Sequence, residues 1–477
     1  MYIIPEKYDI HVKVLLALIL SLSVLAGVGP SFAQVEQPGF TNASSISTTG
    51  DSDLPHVFVS GDGIFIVWTQ SSLGKSDVFF AKSTDGGYTF GSPVNLSAST
   101  KGQSLYPQFV EKDNHVYVAW QLSLSGVSTI MMTKSLDGGT SFEKPIQLSD
   151  GSQLSAFPQI ALSGNHVYSS WIEKSSDNST NIIFAKSDDQ GNSFGTPLHI
   201  THNMGNSGIP KLSSDGNQVY LAWEDNSRGD YEVFLSKSSD SGTSFHVTVD
   251  MSTTTGQSGT PEVIVSGNNV YAVWMDNTSG NYDIFFTKSI DGGDTFAKPV
   301  DISHLKGDSG YPQFTVWKNN IYVTWTQTIS DTNYDIFFAK SSNNGDTFDN
   351  PINLSNNFGP SGWPKIASDG NVYVSWVDST PGKFDVLITK STDGGTTFEN
   401  PTNLSHSKTE SYENDMAALD NIVYMVWQEG SSGNHTIVFS KSTTFVPEFG
   451  PLASIVLVLS LVSIIAVSYR SSLKLKI

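Results

Sequence analysis

The sequence has no cysteine among its 477 residues. This absence excludes disulfide bonds, thiol catalysis and metal sites built from thiolates. Arginine is almost absent as well, since only Arg228 and Arg470 occur. Positive charge in general is scarce, because 46 Asp and Glu residues stand against 26 Lys and Arg residues, for a formal net charge of −20. An acidic chain repels phosphate backbones, so we expect no binding to nucleic acid.

Long apolar runs are also lacking, except at the two ends of the chain. Near the N-terminus, two lysines precede an apolar run over residues 14–28, and Ser31-Phe32-Ala33 follows it. A basic region, a short apolar stretch and a small-x-small site are typical of a secretory signal peptide, which we place at residues 1–33. An uncleaved membrane anchor is the alternative.

The second apolar run covers residues 452–467 and is followed by Arg470, Lys474 and Lys476. An apolar run of this kind with trailing cations is typical of a short membrane segment with a cytoplasmic end. The run is preceded by Val446-Pro447-Glu448-Phe449-Gly450. Motif, apolar span and basic tail together resemble the PEFG-type C-terminal sorting signals of archaeal surface proteins. The resemblance implies that residues 446–477 attach an exported protein to the cell surface or membrane, and a plain transmembrane anchor is the alternative.

Between these ends the chain repeats itself eight times. The tryptophans at 68, 120, 171, 223, 274, 325, 376 and 427 are separated by 51 or 52 residues, and each is followed by a Lys-Ser pair. After seven of these pairs comes an S-x-D-x-G-x-T/S-F motif, which we call the turn motif, as in Ser83–Phe90, although Asn343 replaces the aspartate in the sixth unit. Each unit predicts four short strands, which in the second unit are residues 107–110, 115–120, 129–134 and 142–148.

Four-stranded units repeated at a fixed period predict the blades of a β-propeller. We therefore expect an all-β, eight-bladed propeller over residues 34–445. The eighth unit ends after Lys441-Ser442, before its fourth strand. Residues 40–47 match residues 398–405 in kind, so we expect the N-terminal segment to supply the missing strand and close the ring.

The turn motif resembles the Asp-box repeat of sialidases and of other, differently catalytic or non-catalytic propellers. An aspartate in such a hairpin turn accepts hydrogen bonds from turn amides, and glycine permits a positive φ. We therefore assign the motif aspartates a structural role, and they are Asp85, Asp137, Asp189, Asp240, Asp291 and Asp393.

The sialidase resemblance implies three arginines that hold the sialic acid carboxylate, with a tyrosine–glutamate nucleophile and an aspartate as acid–base group. Bidentate pairing with a carboxylate needs guanidinium groups, and lysine does not replace them. Residues 34–445 contain a single arginine, Arg228, so the three-arginine site cannot form. We therefore expect a non-enzymatic protein with no catalytic residues, and the alternative is a glycan-active hydrolase with two carboxylates.

A ligand site is expected on the side of the ring away from the turn motifs, where seven units carry a proline at the start of the first strand. The residue before this proline varies from unit to unit and is aromatic in four of them. Blade eight departs from the pattern with Glu413-Asn414-Asp415. Our candidate ligand-binding residues are Tyr106, Phe157, Tyr311, Trp363, Glu413 and Asp415. The four aromatic residues admit a second interpretation, as core side chains that plug the channel entrance.

Acidic loops between the second and third strands form a second candidate site. Carboxylate and amide oxygens suit Ca²⁺, and the candidate metal ligands are Asp225, Asp230, Asp276 and Asp283. The same loops are equally typical of solvated hairpins, so no cofactor follows from them with certainty.

These features together predict an extracellular, surface-anchored monomer that acts as a binding, adhesion or envelope protein. Its expected partner is a glycan or a surface protein, and its membrane contact is confined to the C-terminal segment.

Overall fold

The computed structural model describes residues 39–47, 50–202 and 204–443. In these residues every regular element is a β-strand and there is no helix. The strands form eight sheets of four antiparallel strands each. The protein is therefore the eight-bladed β-propeller that the sequence predicts.

Each blade contains an inner strand a, which contacts the inner strands of the neighbouring blades, followed outward by strands b, c and d. The a strands are β2 (Asp51–Ser60), β6 (Gln103–Lys112), β10 (Leu154–Ser163), β14 (Ser207–Asp215), β18 (Ser258–Ser266), β22 (Ser309–Trp317), β26 (Ser361–Ser368) and β30 (Glu410–Leu419). The b strands are β3 (Gly63–Ser72), β7 (His115–Leu124), β11 (His166–Lys174), β15 (Gln218–Asp225), β19 (Asn269–Asp276), β23 (Asn320–Ser330), β27 (Val372–Asp378) and β31 (Ile422–Ser431). The c strands are β4 (Lys75–Ser83), β8 (Val127–Ser135), β12 (Thr180–Ser187), β16 (Glu232–Ser238), β20 (Asp283–Ser289), β24 (Asn333–Ser341), β28 (Asp385–Ser391) and β32 (Asn434–Lys441). The d strands are β5 (Val94–Asn95), β9 (Ile146–Gln147), β13 (Leu198–His199), β17 (Val247–Asp250), β21 (Val300–Asp301), β25 (Ile352–Asn353), β29 (Thr402–Asn403) and, for blade eight, β1 (Ser44–Ser45).

The ring is closed by the N-terminal strand, as predicted. Strand β1 pairs with β32 through Ser44 opposite Phe439 and Ser45 opposite Val438. A further backbone hydrogen bond joins the Thr41 amide to the Lys441 carbonyl at 2.9 Å. Blade eight therefore contains strands from both ends of the described chain, without any covalent bond between them.

The core lies between the blades. The tryptophan that recurs in strand b is at most 2% exposed in every blade. Each of these indoles packs with apolar side chains of a neighbouring blade, as Trp68 does with Tyr424, Val426 and Phe439 of blade eight. Because each sheet buries both faces in this way, the blades depend on one another for their stability.

All four strands of the second unit differ in their bounds from those predicted, and the largest differences are in strands a and d. Strand a begins at Gln103, four residues before the proline, because the chain is already paired with strand b there. Strand d consists of Ile146–Gln147 only. The segment between Phe142 and Ile146 follows the blade edge without ladder pairing, and a pattern of alternating apolar residues does not reveal that difference.

Candidate functional site

The two ends of the ring carry different loops. The antiparallel order of each sheet places the a–b and c–d turns on one side, which we call the turn-motif face. In blade two these turns touch, since the Gly138 amide donates to the Asn114 carbonyl at 2.7 Å. The b–c and d–a loops lie on the other side, together with Tyr106, Phe157, Tyr311 and Trp363. We call this side the aromatic face.

Each inner strand begins with a bulge on the aromatic face. The pairing with strand b shifts register around the proline, for example between Leu105 and Gln108. The residue before the proline, or before Asn414 in blade eight, has a left-handed backbone in every blade. Its φ is 51° at Leu54, 53° at Tyr106, 54° at Phe157, 48° at Ile209, 49° at Thr260, 53° at Tyr311, 52° at Trp363 and 45° at Glu413. This conformation is disfavoured for residues with a side chain, and costs on the order of 1–3 kcal/mol each. A ring of such positions at one mouth of the channel marks this face as a candidate site.

The bulges turn the aromatic side chains out to solvent. Tyr106 is 38% exposed, Phe157 47%, Tyr311 60% and Trp363 56%. The interpretation as buried core plugs is therefore not supported. Tyr106 and Phe157 also contact each other in adjacent blades, with ring centroids 5.1 Å apart.

Trp363 stands between two cavities. On one side, a cavity of about 460 Å³ is lined by Tyr311, Tyr334 and Phe384 as well as Trp363. On the other side, a cavity of about 470 Å³ is lined by Leu54, Pro55 and Tyr412 together with polar groups that include Lys365. Both volumes fall within the range of about 300–1,000 Å³ that is usual for small-molecule sites.

The cavity of about 470 Å³ lies where blades seven, eight and one meet. Glu413 and Asp415 connect these blades. The Leu54 amide of blade one donates to Glu413 Oε2 at 2.6 Å. Asp415 Oδ2 accepts the Val57 amide at 3.1 Å, and Lys365 Nζ lies 3.8 Å from Asp415 Oδ1. The structure thus uses both carboxylates for contacts between blades.

The charge of Asp415 is maintained by its surroundings. Burial alone would raise the pKa of Asp415, but a hydrogen bond from His56 and the charge of Lys365 lower that pKa below its usual range. His56 Nδ1 lies 3.5 Å from Asp415 Oδ2. Asp415 is therefore an ionised structural anion rather than a proton donor.

Asn414 takes the place of the proline found in the other seven blades. Its side chain is 3% exposed and its amide nitrogen donates to the Trp363 carbonyl at 3.3 Å. The Ser375 hydroxyl donates to the other end of the same amide. Only a side chain with both a donor and an acceptor can make these two bonds, and they fix the backbone of Trp363.

Asp53 is a titratable group that the sequence does not single out. Burial, followed by the charges of Glu413 and Asp51, raises the pKa of Asp53 to about 7. Its Oδ1 atom is buried and has no hydrogen-bond partner among the described residues. Neighbouring Asp51 is paired instead with His435, at 2.6 Å from Asp51 Oδ1 to His435 Nδ1. The sequence gives only an indirect indication of this pKa. Ring closure brings blade one next to blade eight, and this places Asp53 near Glu413.

The four candidate calcium ligands do not form one cluster, although Asp276 and Asp283 are opposite each other on adjacent strands. Asp225 and Asp276 end strand b of consecutive blades and are buried, while Asp283 begins the strand that follows Asp276. Their oxygens accept hydrogen bonds from nearby side chains, as Asp276 Oδ2 does from Ser258 at 2.7 Å. Asp230 likewise accepts the side-chain amide of a glutamine. Within residues 39–47, 50–202 and 204–443, no group of three or more His, Asp or Glu side chains is arranged to hold a metal ion.

The motif aspartates shape the turns of the opposite face. Asp85 Oδ1 accepts the amides of Tyr88 and Thr89, both at 3.0 Å, and Oδ2 accepts the Thr89 hydroxyl at 2.6 Å. Hydrogen bonds from Thr89 and from the Ser83 hydroxyl hold the pKa of Asp85 well below its usual range. The other motif aspartates show the same lowering of the pKa for the same reason, and they are Asp137, Asp189, Asp240, Asp291 and Asp393.

The lysine that precedes each turn motif links successive blades. Lys340 Nζ donates to the Gly394 carbonyl at 3.2 Å and to the Thr396 hydroxyl at 2.7 Å, both in the turn motif of blade seven. Equivalent bonds to the next turn motif are made by Lys82, Lys134, Lys186, Lys237, Lys288 and, across the ring closure to Gly86, Lys441. Blade eight has no turn motif, so the lysine of blade seven, Lys390, has no such turn to bind. The Lys390 Nζ atom lies over the ring of Tyr373, at 5.9 Å from its centroid.

Neither a protein-family model nor a curated protein sequence matches the chain. Among solved structures, the chain is similar to the Hadza microbial sialidase Hz136, at 16% identity and a TM-score of 0.39, over 58% of this chain and 63% of that one. The chain thus spans less than two thirds of that sialidase. It is also similar to a protein of unknown function from Dyadobacter fermentans (14% identity, TM-score 0.42, 85% of this chain and 99% of that one). A PL25 ulvan lyase, a polysaccharide lyase, shows 9% identity and a TM-score of 0.45 over 83% of this chain and 95% of that one. These similarities concern the fold alone.

The predicted signal peptide and the predicted C-terminal sorting segment both fall outside the described residues. In the part of the chain that is described, no helix has the length and apolar character needed to cross a membrane.

Proposed function

We propose that this chain is an exported, non-catalytic propeller that is held at the cell surface and binds glycans through its aromatic face. The observation that carries the proposal is the set of four exposed aromatic side chains, Tyr106, Phe157, Tyr311 and Trp363, on strained bulges around one mouth of the channel. A surface in which large aromatic groups stand beside a few polar groups suits sugars, whose rings have apolar faces and polar edges.

The positions of the chain ends support an outward-facing aromatic face. The Thr443 amide donates to the Gly39 carbonyl at 2.9 Å, so the described chain enters and leaves the ring at one place. That place lies on the turn-motif face, where strand c of blade eight ends and strand d begins. An anchor that follows residue 443 therefore directs the turn-motif face to the membrane and leaves the aromatic face open to ligands.

A non-catalytic role is supported by the position of the single arginine in residues 34–445. Arg228 is exposed and pairs with Asp250, at 2.9 Å from Nη1 to Oδ2. It does not line the two cavities beside Trp363. An arginine cluster for the carboxylate of sialic acid is thus missing from this face.

Two finer assignments belong to the same proposal. The turn motifs are Asp-box motifs, whose aspartates stabilise hairpins and take no part in chemistry. Residues 446–477 are a PEFG-type sorting signal that attaches the exported protein to the envelope of an archaeal cell.

One observation favours the alternative of a glycan-active hydrolase. Asp53 has a pKa raised to about 7, chiefly by burial, and lies near Glu413. A carboxyl group that is protonated near neutral pH is what a glycosidase uses as its general acid. Asp53 is therefore the residue to replace first if any glycan is cleaved.

The test uses residues 34–445, which include all eight blades and the closing strand. This protein is incubated on a broad glycan array with and without Ca²⁺, and the bound glycans are then examined for cleavage by mass spectrometry. We expect binding without turnover and without dependence on Ca²⁺. Ile290→Ala, which removes a 69% exposed apolar side chain from the turn-motif face, is the control and leaves binding unchanged. Cleavage by wild type that Asp53→Asn abolishes contradicts the non-catalytic assignment.

A further inference from the structure

Trp363 is placed so that one ligand can contact both of its sides. Its side chain is 56% exposed and lines both the cavity of about 460 Å³ and the cavity of about 470 Å³. A ligand that fills both cavities must therefore pass over the indole. None of the other three exposed aromatic residues, Tyr106, Phe157 and Tyr311, lines both cavities.

The backbone at Trp363 is fixed before any ligand arrives. The buried Asn414 side chain donates to its carbonyl at 3.3 Å, and Pro364 follows it in the chain. A proline restricts its own φ, and the hydrogen bond holds the peptide in front of it. Groups that are ordered in advance lose less entropy when a ligand binds, which favours affinity.

The two cavities differ in chemistry. The first is walled by rings, namely Tyr311, Tyr334 and Phe384, and offers stacking surfaces. The second offers hydrogen-bonding groups, among them Lys365 and Gln428. The rings suit the apolar face of one sugar, and the polar groups suit the hydroxyls of the next.

The charges at the second cavity disfavour an anionic ligand. Lys365 lies 3.8 Å from the carboxylate of Asp415, which offsets its positive charge. Glu413 lines the same cavity, and the whole chain carries a formal charge of −20. A carboxylate or sulfate group brought to this place meets net negative charge.

We infer that blades six, seven, eight and one form a two-subsite groove across Trp363 that selects neutral oligosaccharides of two or more sugar units over monosaccharides and over uronic acid polymers. This inference rests on the proposed glycan-binding function and names the ligand class and the part of the aromatic face that binds it. The Tyr106–Phe157 pair lies outside the groove.

The inference is tested by titration calorimetry on residues 34–445. The probes are cello-, manno- and chito-oligosaccharides of one to six units, with oligogalacturonates of equal length as the anionic series. At least one neutral series should gain tenfold or more in affinity from one unit to two, and the anionic series should bind at least tenfold more weakly. Equal affinity for one and two units, or preference for the anionic series, overturns the inference.

Three variants locate the site. Trp363→Ala should lower the affinity for the best neutral dimer at least tenfold, and Trp363→Phe should restore part of it because a stacking surface remains. Ile290→Ala removes an exposed apolar side chain from the turn-motif face and should leave the affinity unchanged. If the wild type binds and Trp363→Ala binds equally well, the groove is wrong while glycan binding stands. If no array glycan and no probe binds the wild type, the proposed function itself fails.

Discussion

The closing strand of blade eight allows a matched test of how the ring is fastened. Ile46 in this strand is 5% exposed, and its structural counterpart in blade seven, Leu404, is 4% exposed. The Ile46 amide donates to the Ile437 carbonyl at 2.7 Å, and the Leu404 amide donates to the Val386 carbonyl at 2.8 Å. The two side chains thus occupy equivalent environments, but only that of Ile46 depends on the N-terminal segment.

Truncation of a buried isoleucine or leucine to alanine costs about 2–5 kcal/mol of the free energy of unfolding. If the closing strand belongs to the same cooperative unit as the rest of the ring, Ile46→Ala should cost as much as Leu404→Ala, to within about 1 kcal/mol. Urea denaturation of residues 34–445, followed by tryptophan fluorescence, measures both, because each blade contains a buried tryptophan.

A closing strand that detaches before the ring unfolds gives a different result. In that case Leu404→Ala lowers the free energy of unfolding, and Ile46→Ala leaves that free energy within about 0.5 kcal/mol of wild type. The same experiment on a chain lacking residues 35–47 gives a second comparison, since we expect this deletion to unfold the whole domain. An unchanged midpoint in the deletion variant refutes non-covalent closure as a source of global stability.

Three further predictions concern polar groups at the blade junctions. Lys340→Met should lower the free energy of unfolding by about 1–2 kcal/mol, because two charge-assisted hydrogen bonds are lost at a partly solvated site. In the same urea assay, Lys390→Met should change the free energy of unfolding by less than about 0.5 kcal/mol. Asp137→Ala should lower the melting temperature at pH 6, and Asp137→Asn should recover only part of the loss, because the amide keeps hydrogen bonds but not the charge. Since the pKa of Asp137 is lowered in the folded state, its contribution is present above about pH 4 and is lost on acidification, so calorimetric scans should show a smaller effect of Asp137→Ala at pH 3 than at pH 6. The pKa of Asp53 is raised to about 7 in the fold, so its contribution to stability is fully present below about pH 4 and is lost as the pH rises through 7. Melting curves should show that the melting temperature of Asp53→Asn declines less between pH 4 and pH 8 than that of wild type.

The repeat pattern predicts most of the fold because it follows from local physics. A buried tryptophan at a fixed period, paired with short strands and an Asp-Gly turn, specifies one blade, and eight copies with one missing strand specify the closure. The correspondence between residues 40–47 and 398–405 extends to single hydrogen bonds in the structure. Ser47 Oγ accepts the Ile437 amide at 2.8 Å, and Ser405 Oγ accepts the Val386 amide at 3.1 Å.

The candidate site was predictable in position but not in detail. A residue before proline ordinarily avoids helical backbone angles, so the left-handed bulge at Trp363 is imposed by the ring and not by local preference. The roles of Glu413 and Asp415 depend on which blades meet at the closure, and sequence spacing does not show which oxygen accepts which amide. Asp53 was missed for the same reason, because its environment is assembled from the first and last blades.

The most direct test of the account compares wild type, Trp363→Ala and Ile290→Ala, each as residues 34–445, on one glycan array with mass-spectrometric detection of cleavage. The account predicts that wild type and Ile290→Ala bind a common set of neutral glycans, that Trp363→Ala loses this binding, and that every glycan is recovered intact. Equal binding by all three proteins, or recovery of cleaved glycans, contradicts a non-catalytic glycan-binding aromatic face.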